Sequence, residues 1–225
     1  MAAQDSISDR FPLVTTSLAL GGRDWRVTAV QNQDILLDAV DSLEHMPYGF
    51  LLWESALGLA RLLVEQPERV VGKRVLELGC GVGFPGLVAQ WLGAEVWQTD
   101  HQQGALKLAE TNALQNEVTG IERFPADWRN WNLKERYDVL MGADILYERA
   151  MYIYLERIFR ENLAPGGQLL IADPVRPQAM EFTAELERKG WSMALETRMV
   201  HLDEEGRDNR PVEVALITGI LSHAR

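Results

Sequence analysis

Four carboxylates, a glycine-rich turn and two aromatic side chains are the residues of this 225-residue chain that could do chemistry together. Each follows an apolar, strand-like run. The first run, Val75-Leu76-Glu77-Leu78, leads into Gly79-Cys80-Gly81-Val82-Gly83-Phe84-Pro85-Gly86. Val75, Leu76 and Leu78 have the composition of a strand buried on both faces. Glycines at alternate positions remove the β-carbon where backbone must approach a ligand closely. Pro85 suits the first turn of a helix, where its missing N–H costs nothing. That helix start presents free amides. Glu77 stands two positions before the first glycine. This pattern predicts a nucleotide-like cofactor at the end of the first core strand.

Two templates fit the same glycines. Glu77, Gly79, Gly81 and Gly83 give E-x-G-x-G-x-G, the pattern of S-adenosylmethionine (SAM) methyltransferases. Gly81, Gly83 and Gly86 give G-x-G-x-x-G, the dinucleotide fingerprint. Asp100 closes the run 94–99 and suits ribose hydroxyls under either template. The next two strand ends favour SAM. Ala126-Asp127-Trp128 comes after a third run, 121–124, and Gly142-Ala143-Asp144-Ile145-Leu146-Tyr147 after a fourth, 137–141. An acidic or aromatic group after each of four successive strands matches a site that grips adenine, ribose and methionine from different strand ends. A nicotinamide dehydrogenase usually carries a second domain, for which this length leaves little room.

The elements that must position these groups are legible in outline. Residues 13–30 read as a hairpin turning at Gly21-Gly22. A polar helix or loop comes next, over 34–45. Leu52, Ala56, Leu59, Ala60 and Leu63 recur at three-to-four spacing and predict a helix over 53–65. Strand and helix then alternate: strand 74–79, helix 85–93, strand 94–99, helix 102–115, strands 120–125 and 137–142, helix 149–162, strand 167–172, helix 177–189. Pro165-Gly166-Gly167 punctuates the approach to the fifth strand. This alternation predicts an α/β fold, a parallel sheet with helices on both faces. The runs 191–200 and 212–218, joined by the charged segment 203–209, should pair as a C-terminal antiparallel hairpin, which makes seven strands.

Composition narrows the class. Hydrophobic residues make up 47% and charged residues 24%, ordinary for a soluble globular protein. No apolar run reaches the roughly 18 to 20 residues that span a membrane, and the polar N-terminus is unlike a signal peptide. A cytoplasmic protein with no membrane association is expected. The one cysteine, Cys80, excludes an internal disulfide and argues against structural zinc. His45, His101, His201 and His223 have no ligand spacing, so no metal is expected. The net charge is −11, without a lysine or arginine cluster. Nucleic acid is therefore disfavoured as a substrate. An acidic balance suits a basic partner, and equally suits plain solubility.

On these segments the chain resembles class I SAM-dependent methyltransferases with their Rossmann-like seven-stranded sheet. More narrowly, over residues 47–220, it resembles methyltransferase family 16. That group includes protein-lysine methyltransferases and proteins labelled nicotinamide N-methyltransferase-like. The narrower likeness rests on Trp53-Glu54-Ser55-Ala56 ahead of the glycines, Phe84-Pro85-Gly86-Leu87 after them, Asp127-Trp128, and the D-x-x-Y of Asp144 to Tyr147. Asp173-Pro174-Val175-Arg176 resembles a D-P-x-R segment of bacterial and mitochondrial relatives. The resemblance implies residues 1–52 as an extension packed on a methyltransferase domain, 53–225, with SAM as cofactor and S-adenosylhomocysteine as product. It implies Glu77 near the methionine amino group and Gly79, Cys80, Gly81 and Gly83 along methionine and ribose. Asp100 would take the ribose hydroxyls, Asp127 and Trp128 would flank adenine, and Trp53 and Ala143 would line the pocket. Plainer readings stand beside these: helix capping for Asp100, ordinary packing for Trp53 and Trp128.

Asp144 and Tyr147 are the expected catalytic pair. A lysine nucleophile must be neutral, and with a pKa of about 10.4 it is so only about once in 2,500 at pH 7, a cost of roughly 4.6 kcal/mol. A carboxylate favours the ammonium, so Asp144 is expected to bind and orient the incoming amine. The cofactor's sulfonium and an apolar pocket would then favour deprotonation, with Tyr147 walling the channel. No N/D-P-P-Y motif stands after the fourth strand, which disfavours methylation of planar amide or base nitrogens. The leading expectation is a protein-lysine N-methyltransferase with a protein partner. A small-amine methyltransferase and a non-catalytic SAM-binding scaffold remain beside it. Trp25, Trp131 and Trp191 belong either to the core or to an interface.

Overall fold

The computed structural model describes residues 7–37, 47–202 and 210–221. In chain order these form α1 (Ile7–Arg10), β1 (Leu13–Leu20), β2 (Arg23–Val30), α2 (Gln33–Leu37) and α3 (Glu54–Glu65). Then come β3 (Arg74–Leu78), α4 (Phe84–Trp91), β4 (Glu95–Asp100), α5 (Gln103–Gln115) and β5 (Glu122–Pro125). The remainder is β6 (Tyr137–Ala143), α6 (Tyr152–Asn162), β7 (Leu163–Asp173), α7 (Pro177–Arg188), β8 (Trp191–Val200) and β9 (Val212–Leu221). The segment 203–209 and most of the expected 34–45 element lie outside the described residues.

The seven-stranded sheet has the order β5-β4-β3-β6-β7-β9-β8. The first five strands in that order run parallel, and β9 pairs antiparallel with both β7 and β8. The chain winds outward from β3 to β5, then returns to β3's other side with β6. That reversal opens a crevice at the carboxyl end of β3, where ligands bind in open α/β sheets. The glycine turn sits there.

Strand alternation explains the layers. Val75, Val139, Met141, Leu170 and Val214 pack with α3 and α4 residues such as Leu59, Leu63 and Val88 on one face. Leu76, Leu78, Leu140, Leu169 and Ile217 pack with Phe159 and Phe182 of α6 and α7 on the other. Both faces are covered, so the strands read as continuous apolar runs. All three tryptophans left open by the sequence are core: Trp25 lies in the first cluster, Trp131 and Trp191 in the second.

One strand differs from expectation. β7 begins at Leu163 and runs through Pro165-Gly166-Gly167, with a register shift against β6 between Tyr137 and Val139. A bulge tolerates the missing proline N–H and bends the strand. β9 enters the sheet between β7 and β8 because Val214, Ala215, Leu216 and Ile217 are all buried, whereas the exposed Ser192, Glu196 and Thr197 suit β8 to the edge. The β1–β2 hairpin is fastened to α5: Thr28 N donates to Asn112 Oδ1 (2.7 Å) and Arg26 N to Asn116 Oδ1 (2.9 Å). Asn112 Nδ2 in turn donates to Val82 O (2.9 Å), tying α5 to the glycine turn. Among the described residues no helix is long and apolar enough to cross a membrane.

Candidate cofactor and substrate site

A cavity of about 810 Å³ opens above the carboxyl ends of β3, β4 and β6. Trp53, Glu77, Gly79, Cys80, Gly81, Asp100, Asp127, Trp128, Ala143, Asp144 and Tyr147 all line it. Gly83 stands apart from them. It does not line the cavity, and a β-carbon there would come within 2.6 Å of Ala109 Cβ and 2.8 Å of Gln98 Nε2. Its bareness lets α4 start against α5.

The floor is bare backbone. Gly81 has φ +54°, a left-handed conformation that disfavours any side chain, and a β-carbon there would lie 3.0 Å from Gly49 O. A β-carbon on Gly79 would lie 3.0 Å from Ile145 Cγ2 and 3.2 Å from Trp128 Cζ2. Cys80 N donates to Thr99 O (2.9 Å), pinning the turn to β4. Its thiol is buried, and burial pushes its pKa well above the ordinary value, so it is a packed, inert residue.

Glu77 is wholly buried. Its Oε2 accepts from Gly86 N (3.1 Å) and Gln98 Nε2 (2.8 Å), and Gln98 Oε1 accepts from Arg123 Nε (2.8 Å). Desolvation outweighs these donors and pushes the carboxyl up to about 8. Asp100 Oδ2 accepts from Gly81 N (3.0 Å) and Oδ1 from Gln102 N (2.9 Å). Burial raises its pKa as well. Asp127 caps the turn Trp128–Asn130 by accepting from Arg129 N (3.0 Å), and the Arg129 guanidinium holds its carboxyl below the usual range.

The opposite wall comes from residues that the sequence did not single out. The turn Tyr48–Phe50 roofs the glycines, with Tyr48 and Gly49 in the lining. Trp53 Nε1 donates to Tyr48 O (3.0 Å), and the Tyr48 ring lies 5.7 Å from that of Tyr147. Pro47-Tyr48-Gly49 was a readable turn signal, but nothing local shows that it folds back over residue 81. Gln102 also lines the cavity, and its buried Oε1 has no hydrogen-bond partner among the described residues.

At the β6 end, Asp144 has φ +58° and its N–H donates to Ala172 O (2.9 Å). Asp144 Oδ1 accepts from Arg176 Nη2 (2.6 Å), and Arg176 Nη1 donates to Asp173 Oδ2 (2.8 Å). Among the described residues the bond from Arg176 goes to Oδ1 of Asp144 and not to Oδ2. Tyr147, 41% exposed, stands at the mouth; burial and Glu148 raise its hydroxyl pKa.

Comparison with known proteins places the chain among methyltransferases. A family model described as lysine methyltransferase matches residues 31–189. The histidine protein methyltransferase 1 homolog of Dictyostelium discoideum is 29% identical over 144 residues, 61% of this chain and 47% of that protein. The protein N-lysine methyltransferase METTL21A of Danio rerio is 30% identical over 164 residues, 69% of this chain and 72% of that protein. This chain spans about half the length of several of the curated relatives it matches. Among solved structures, the T. thermophilus 16S rRNA N2 G1207 methyltransferase RsmC, in complex with AdoMet and guanosine, superposes with a TM-score of 0.64 at 18% identity. The superposition covers 93% of this chain and 51% of that chain, and at that identity it shows the fold alone. The family match takes in the roof, the glycine turn and every strand end around the cavity, and on it the chain belongs to the lysine methyltransferase family.

Proposed function

We propose that this protein is a SAM-dependent N-methyltransferase that methylates a lysine side chain of a protein. The observation that carries the reading is Asp144: a carboxylate at the cavity, one oxygen held by Arg176, beside the half-exposed Tyr147. A carboxylate so placed suits an incoming ammonium. The exposed mouth suits a long side chain presented from a large partner.

The residues around the cavity fit SAM. Gly79 and Gly81 leave a cradle that β-carbons would fill, Gln102 Oε1 is a buried acceptor without a partner among the described residues, and Trp128 offers a flat apolar face. Asp100 keeps lone pairs for ribose hydroxyls after accepting two backbone amides. Glu77 is the group for the methionine end. When bound, SAM would supply a sulfonium methyl for transfer to a neutral amine, with S-adenosylhomocysteine and a proton as the other products. The chain's own part is to orient the amine through Asp144 and to exclude water with Tyr48, Trp53 and Tyr147. We read residues 1–52 as an extension on a domain 53–225, supported by the hairpin's bonds to α5 and by the roof at 48–50. The acidic composition and single buried cysteine support a cytoplasmic location.

The test is transfer of labelled methyl from SAM into a lysate split by size. Label in a discrete protein band, lost with Asp144→Ala and mapped to lysine by mass spectrometry, is the expected result. Label on histidine, or only in the small-molecule fraction, moves the assignment to that acceptor. Intact SAM binding without transfer to any fraction leaves a scaffold.

A further inference from the structure

Two carboxylates end neighbouring strands. Asp173 closes β7 and Asp144 comes directly after β6, one step beyond the paired Ala143 and Ala172. Asp173 is fully buried and the Asp144 side chain is only 10% exposed. Left to themselves, two such anions repel and are poorly solvated. Arg176 answers both. Its Nη1 donates to Asp173 Oδ2 (2.8 Å), its Nη2 to Asp144 Oδ1 (2.6 Å), and its backbone N–H to Asp173 Oδ1 (2.8 Å). The planar guanidinium fixes the angle between its nitrogens, so anchoring one end on buried Asp173 aims the other.

The backbone is strained to bring this about. Val175, a β-branched residue, has φ +55°, with its N–H donating to Asp173 O (2.8 Å). Asp144 has φ +58°. A valine in the left-handed region is a genuine outlier, kept only where the surroundings over-determine it. Here the strain on both strand ends converges on one side chain. The charges sum as well: two carboxylates and one guanidinium leave a single negative charge, matched to a single ammonium.

Resting on the lysine-methyltransferase reading, we infer that Arg176 is a positioning residue that presets Asp144 for the substrate amine. It occupies Oδ1, stops the carboxylate from rotating, and leaves Oδ2 as the atom for the incoming ammonium. Lysine at this position would keep the charge but could not span both carboxylates in a fixed plane.

The test compares wild type, Arg176→Lys and Asp144→Asn by three readouts. Calorimetry with S-adenosylhomocysteine and thermal melting report cofactor binding and folding. Labelled-methyl transfer to lysate protein reports turnover. An NMR titration of the S-adenosylhomocysteine complex with n-butylammonium reports the amine site without turnover. For Arg176→Lys we expect S-adenosylhomocysteine affinity within about 2-fold of wild type and methyl transfer reduced about 10- to 100-fold. Butylammonium binding should weaken toward that of Asp144→Asn. Equal transfer and equal butylammonium binding in Arg176→Lys and wild type would overturn the inference, as would losses that merely track loss of folded protein. If wild type transfers no label to protein, the lysine reading fails by itself, and the butylammonium comparison still decides the role of Arg176.

Discussion

The two halves of the cavity hold their carboxylates by different means. On the β3–β4 side, Glu77 and Asp100 accept from neutral donors: the amides of Gly86, Gly81 and Gln102 and the side chain of Gln98. On the β6–β7 side, Asp144 and Asp173 share a guanidinium. Neutral donors orient a carboxylate but do not offset its charge. Burial therefore raises the Asp100 carboxyl and carries Glu77 to about 8, so that near neutrality Glu77 mostly holds a proton. A guanidinium brings a compensating charge of its own, which sets the net charge of the second half in advance. Compensation there is incomplete, because desolvation still raises the pKa of the wholly buried Asp173. One half thus responds to pH and the other has its charge preset.

This contrast can be broken at four points. The largest effect should come from the preset half: Asp144→Ala should cut methyl transfer to protein by about 10²- to 10³-fold while leaving calorimetric SAM affinity nearly unchanged. The responsive half should show itself in pH. The unfolded Glu77 carboxyl titrates near 4.5 and the folded one near 8, so above pH 4.5 the folded state holds a proton that the unfolded state has released. Stability then falls as pH rises through 8, by about 2 kcal/mol between pH 6 and 8 from this group. Glu77→Gln should flatten that part of the denaturation profile. Next comes the floor: Gly81→Ala forces a side chain into left-handed backbone against Gly49 O, which should cost about 1–2 kcal/mol of stability and weaken SAM binding at least about 10-fold, read by melting and calorimetry. The smallest effect belongs to the rim. Asp127→Ala removes a pair with an exposed Arg129 and should change denaturant stability by less than about 1 kcal/mol.

Much of this was legible in the chain. The glycine turn is dictated by Gly79, Gly81 and Pro85, because positive φ and a proline at a helix start are demands of local backbone. Both faces of β3 are dictated by Val75, Leu76 and Leu78. Gly83 shows a limit of local pattern: a glycine that lines a cavity and one that packs on a neighbouring helix look alike in sequence, since both demand a missing β-carbon. Tyr48 and Gly49 show another limit. Their turn is readable, but its place over residue 81 depends on how the segment before α3 folds back over the sheet.

By itself the sequence determined the alternation of strands and helices, the crevice after the first core strand, and the set of carboxylates at four strand ends. Those features rest on periodicity and backbone conformation, which act between near neighbours. Only the tertiary structure decided that β9 lies inside β8, that Trp25, Trp131 and Trp191 are core, and that Arg176 joins Asp173 to Asp144 across 32 positions. Charge pairing, burial and desolvation depend on which atoms are brought within a few ångströms, and that is fixed by packing rather than by spacing along the chain.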